Sequence, residues 1–178
     1  MKKILLSLCV IGLLCCLASP LKAQHEDSAM AAMDMGPMGP PEEMKECAWL
    51  VGDWEAKTQF RMGPDQPWME DEAKISYSLI LDGGALWMEY SSPAMMDMPT
   101  PFRGVGLQTY DRETKAWQMI WTDNMSCRMT MYTGISEADK TIMTAEGLWN
   151  GVKFNSRITT YNESPESFDW QMEDSYDG

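Results

Sequence analysis

The sequence predicts an all-β fold: an up-and-down antiparallel β-barrel of about nine to ten strands behind a short N-terminal helix. Three observations lead there. From Trp54 onward the chain is a series of short runs that alternate in polarity, the period of a half-buried strand. Turn signals recur between the runs, so consecutive strands are joined as hairpins. A meander of this kind loses its exposed edges by closing on itself, and 178 residues with 44% hydrophobic content supply one such domain.

The elements follow in order. Residues 1–23, "MKKILLSLCVIGLLCCLASPLKA", carry Lys2 and Lys3, an apolar run from Ile4 to Ala18, and a small residue, Ala23, at the point of cleavage. This reads as an export signal peptide, because the apolar run is too short to span a bilayer and no second one follows. The expected location is periplasmic or secreted. A membrane-anchored lipoprotein is the alternative, through Cys15 or Cys16, although Leu14 and Cys15 precede them where lipidation favours a small residue. Residues 24–41 are Met-rich and punctuated by Pro and Gly, as expected of a flexible leader. "PEEMKECAWL" then starts a short helix at Pro41, with Glu42 and Glu43 in its first turn and Met44, Cys47 and Ala48 on one face.

The barrel domain is expected over residues 42–178, with nine strand candidates following that helix. They are "WEAKTQFRM", "EDEAKISYSLIL", "ALWMEYSS", "FRGVGLQTY", "AWQMIWTD", "SCRMTMYTGI", "TIMTAEGLW", "VKFNSRITTY" and "SFDWQMEDSY". In the second, Ala73, Ile75, Tyr77 and Leu79 share a face opposite Glu72, Lys74, Ser76 and Ser78. Asn150-Gly151 is a two-residue hairpin turn.

Four stretches resemble a bacterial family described only as a domain of unknown function, of the DUF1579 type: "LVGDWEAKTQF", "ILDGGALWMEY", "FRGVGLQTYDRETKAWQMIWTDN" and the final "YDG". The likeness covers residues 37–178. Its most specific part is Gly104-x-Gly106, then Tyr110-Asp111, then Trp121-x-Asp123. The resemblance implies a calycin-like, lipocalin-related barrel, with one more strand beyond the final Asp-Gly. It also implies structural roles for Gly52, Trp54, Gly104 and Gly106. Gly52 would allow close backbone approach where the helix plugs the barrel base, and Trp54 would cover that end.

Composition narrows the chemistry. There are 27 acidic against 14 basic residues, and Lys2, Lys3 and Lys22 leave with the signal, so the mature chain carries a net charge of about −16. Such a chain repels nucleic acid and anionic lipid. The single histidine, His25, lies in the leader, which leaves Ser/His and Cys/His nucleophilic pairs, histidine-ligated haem and zinc unsupported. Acidic candidates for catalysis reduce to Glu89 and Asp123, and no enzyme is expected, nor any cofactor. Cys47 and Cys127 are the cysteines beyond the signal, read as two separate buried thiols with a disulfide as the alternative.

The expected function is binding of an apolar or amphipathic small molecule. Trp117, Met119, Trp121 and Asp123 share a face of one strand; Cys127, Met129, Met131 and Thr133 share a face of the next; Tyr90 stands with Leu86 and Met88. The expected ligand-binding residues are therefore Trp121, Met119, Asp123, Met129, Met131 and Tyr90. Two other readings use the same sequence. Of 18 methionines, Met30, Met33, Met35 and Met38 crowd the leader and Met95, Met96 and Met98 one loop, which suits a periplasmic copper-binding protein. An open strand edge suits a structural or partner-binding barrel, including a homodimer.

Overall fold

The computed structural model describes residues 36, 38–93 and 99–177. The segment expected to be an export signal, together with Met30, Met33, Met35, Met95, Met96 and Met98, lies outside the described residues. The chain divides into two units, Met1–Gly36 and Pro37–Gly178, and the second holds the fold described here.

A 3₁₀ helix, Glu42–Leu50, precedes nine strands: β1 (Gly52–Phe60), β2 (Met69–Ile80), β3 (Ala85–Ser92), β4 (Phe102–Asp111), β5 (Ala116–Asp123), β6 (Thr130–Glu137), β7 (Lys140–Trp149), β8 (Val152–Tyr161) and β9 (Asp169–Ser175). Every pair of sequence neighbours is antiparallel, and the sheet order is the chain order. The result is a curled half-barrel, consistent with the calycin-like barrel that the resemblance implies. Hairpin chemistry explains the turns. Asn150 and Gly151, at φ 49° and 82°, make the two-residue turn that joins Trp149 to Val152.

Strand parity decides the edges. Directions alternate along a meander, so β1 and β9, the first and ninth strands, run the same way and cannot close as an antiparallel pair. No backbone pairing joins them among the described residues. Aromatic side chains bring β1 close to the start of β9 at the helix end. Trp54 of β1 meets Phe168, just before β9, edge to face at 5.2 Å, and Trp49 of the helix meets the same ring at 5.6 Å.

Two apolar clusters fill the inner face. Met44 and Cys47 of the helix pack with Leu86, Trp117, Met119, Tyr132, Met143 and Ala145. Toward the opposite end, Ala73, Ile75, Tyr90 and Phe102 form the second cluster. Met88, Tyr77 and Trp121 touch both.

Two expectations about local geometry need correction. Ala48 is exposed, and Met44 and Cys47 alone of the three are buried. A 3₁₀ helix repeats every three residues, so 44 and 47 eclipse while 48 turns away. Leu79 is exposed although Ala73 and Ile75 are buried on the same side of β2; it is the strand's penultimate residue, opposite the buried Leu86.

Candidate functional site

The β5–β6 connection sets which side chains face inward. Asp123 Oδ1 accepts the backbone N–H of Met125 at 2.9 Å and of Ser126 at 2.6 Å, and its Oδ2 accepts Trp121 Nε1 and the Ser126 hydroxyl, both at 3.0 Å. The carboxylate thus organises a turn. After that turn β6 begins at Thr130, and its register places Trp121 opposite Thr130, Met119 opposite Tyr132 and Ile120 opposite Met131.

Directly paired residues point to the same side of a sheet. The inner partners of Met119 and Trp121 are therefore Tyr132 and Thr130. Met129 and Met131 are 75% and 61% exposed, and the expectation that they face inward with Trp121 is corrected. Met129 precedes the strand, and Met131 sits on its outer face because odd positions of β5 pair with even positions of β6. Cys127 is exposed as well, at φ 48° in the turn, while Cys47 is buried; both thiols are free.

The remaining predicted residues are divided between the clusters. Met119 is a core residue at the helix end. Tyr90 lies in the second cluster, edge to face with Phe102 at 5.8 Å and with Trp121 at 6.2 Å. Trp121 is half-buried between the clusters, with Asp123 holding its indole N–H. Glu89 is on the outer face, where its carboxylate accepts Trp87 Nε1 at 3.1 Å, so it and Asp123 do not form a catalytic pair.

The glycines explain why the family-like motifs have their spacing. A Cβ on Gly104 would fall within the Trp121 ring, and one on Gly106 would lie 2.7 Å from Met88 Cε. Both glycines let side chains of the neighbouring strands lie flat across β4. Gly52 has a different reason. A Cβ there meets nothing within 4 Å, but its φ is +133°, so conformation rather than close approach selects glycine. Two residues on, Trp54 Nε1 donates to the Leu50 carbonyl at 2.7 Å and ties the helix to β1. Asp111 repeats the role of Asp123 in the β4–β5 turn. Its carboxylate takes bonds from Thr114 and the N–H groups of Glu113 and Thr114, which hold it below the usual carboxylate range.

A polar group that the sequence reading passed over lies on the inner face, at the end remote from the helix. Asp71 is 8% exposed and Ser92 0%, and the serine hydroxyl donates to Asp71 Oδ2 at 2.5 Å. Thr58, directly opposite Asp71 across β1 and β2, bonds its backbone carbonyl. The phenol of Tyr90 stands beside this group; burial first, and then the Asp71 charge, push it above its ordinary range, with Thr58 opposing. The signal was in the alternation. Asp71 occupies the inward parity of Ala73 and Ile75, where an acidic residue is out of pattern.

Clefts open elsewhere among the described residues. One of about 400 Å³ lies at the helix end, lined by Glu46, Glu137, Lys140, Thr141 and Glu163 among others; burial and the Glu46 charge raise Glu163. The second, about 180 Å³, runs along Arg103–Val105 and Thr122–Asn124 and includes Asp123. Among the described residues no three His, Cys, Asp or Glu side chains converge as a metal site. Of the methionines behind the copper reading, Met38 alone is described, and it is 84% exposed. No described helix is long and apolar enough to cross a membrane.

A family model described as "Protein of unknown function (DUF1579)" matches residues 39–170, and no curated protein matches the chain.

Proposed function

The chain belongs to the DUF1579 family, and we propose that it is an exported barrel that binds, without transforming, an apolar or amphipathic small molecule. One observation carries the reading: the inner face is aromatic, yet it is not sealed. Tyr90 and Phe102 are buried, and Tyr77, Met88 and Trp121 are half-buried beside them. On β9, Trp170 and Met172 occupy the inward register, opposite Thr160 and Ile158, and remain 39% and 49% exposed. Apolar surface left open inside a curled sheet gains about 25 cal/mol per Å² when a ligand covers it. Export rests on residues 1–23, and the intact mass of protein recovered from an envelope or medium tests it: loss of those residues is expected, and an acylated Cys16 points to the lipoprotein instead.

The binding experiment uses N-phenyl-1-naphthylamine, a neutral apolar fluorophore. Saturable binding near one per chain with quenching of tryptophan emission is expected. Trp121→Ala should weaken it by about 1–2 kcal/mol, the scale of one lost aromatic contact. Absence of saturable binding to the parent chain refutes the ligand reading.

The edges of β1 and β9, which are unpaired among the described residues, favour a second reading, that a partner strand pairs there, a second copy included. Sedimentation across a range of concentrations tests the homodimer, and a monomer at every concentration removes it.

A further inference from the structure

Deepening the ligand-binding proposal, on which it rests, we infer that Asp71 receives a protonated amine, the head group of the bound amphiphile. Asp71 is a buried carboxylate on the inner face, and none of the ion pairs among the described residues includes it. A buried carboxylate without a cation is costly unless its hydrogen bonds are complete. They are not complete. Ser92 satisfies Oδ2, and Thr58 bonds the backbone carbonyl rather than the carboxylate. Oδ1 has no partner, yet it is not among the side-chain atoms sealed from solvent without one; the residual exposure of Asp71 therefore reaches this oxygen.

The neighbours define what can approach. Tyr90 and Phe102 stand edge to face on β3 and β4, and Trp121 lies beyond Tyr90. An alkyl or aryl tail laid along the half-buried Met88 and Trp121, which pack against these rings, brings its head toward Asp71. An ammonium donates to Oδ1, supplies the missing charge and faces the Tyr90 ring, so one group answers three features of the site. A carboxylate head meets Asp71 as a like charge. Arg128, over the Phe154 ring at 5.7 Å with its Nε unpartnered, is the group that would favour such a head.

Three probes with one tail and different heads decide between these: decylammonium, decanol and decanoate, titrated by tryptophan emission at physiological salt, which screens the general acidity of the chain. Decylammonium is expected to bind at least about tenfold more tightly than decanol, the effect of one charge-assisted hydrogen bond, and decanoate most weakly. Asp71→Asn, which keeps the shape and the Ser92 bond, should bring the amine and the alcohol within about twofold. Glu72→Gln removes the same charge from the outer face and should leave the ratio unchanged. Carbodiimide coupling of bound decylamine to the parent chain provides a readout that needs no variant: amide formation at Asp71 is expected. Equal binding of amine and alcohol, tightest binding of decanoate, or coupling only at surface carboxylates overturns the assignment while leaving a ligand-binding barrel. Binding by none of the three overturns both.

Discussion

Replacing Gly104 by alanine tests whether the Trp121 ring is what reserves that position. Gly104 has no positive φ, so alanine is compatible with its backbone and by itself would gain about 0.5–1 kcal/mol over glycine in a strand. The opposing cost is steric. The new Cβ would occupy the space of Trp121 Cζ2 and Cη2, and Cε2 would lie 3.0 Å away. The ring cannot tilt freely, because its N–H is bonded to Asp123 at 3.0 Å and its edge meets Tyr90. Overpacking costs about 1–3 kcal/mol. Losing the bond to a carboxylate adds about 1.5–3 kcal/mol if the indole swings out. Net of the backbone gain, Gly104→Ala should destabilise by about 2–4 kcal/mol. In a Trp121→Ala background the same change should be neutral or slightly stabilising. Urea unfolding followed by far-ultraviolet circular dichroism of the four chains gives the coupling directly, expected near 3 kcal/mol. Additivity within about 0.5 kcal/mol would refute the reasoning, because Gly104 would then be selected by something other than the indole.

Three further outcomes follow from the same structure. At Gly134 an added Cβ would meet backbone, the Ile142 carbonyl and Met143 Cα, which cannot turn aside; Gly134→Ala should therefore cost more than Gly104→Ala and leave β6 and β7 unpaired, seen as a loss of strand signal or of soluble protein. Burial pushes the Cys47 thiol up to about 11, so native chains should be alkylated at Cys127 and spared at Cys47 at pH 8, as peptide mapping can show. Because the unfolded thiol ionises near 9 while the folded one does not, the contribution of Cys47 to stability is complete below about pH 9 and declines toward pH 11; Cys47→Ala should flatten that decline.

Strands and turns were legible along the chain because their signals are local. Alternation in β1 and β2 and the Asn150-Gly151 turn depend on neighbours a few residues away, and the structure has nine strands close to where those signals put them. The inner face of β5 was legible for the same reason, since Trp117, Met119, Trp121 and Asp123 differ by two positions. The 3₁₀ period of the helix was not, because residues compatible with an α-helix fill either form, and packing of Met44 and Cys47 chose between them.

By itself, then, the sequence determined an acidic all-β meander of hairpins with a family-like Gly104-x-Gly106 and Trp121-x-Asp123. Only the tertiary structure decided which residues meet. The turn held by Asp123 set the odd-to-even register that turned Met131 outward and Tyr132 inward. The antiparallel pairing of β1 with β2 put Thr58 opposite Asp71, and the fold of β3 brought Ser92, 21 residues away, onto its carboxylate. Side-chain direction along a strand repeats every two residues and can be read locally; register between strands depends on how many residues each turn consumes, and one residue more or fewer exchanges the two faces.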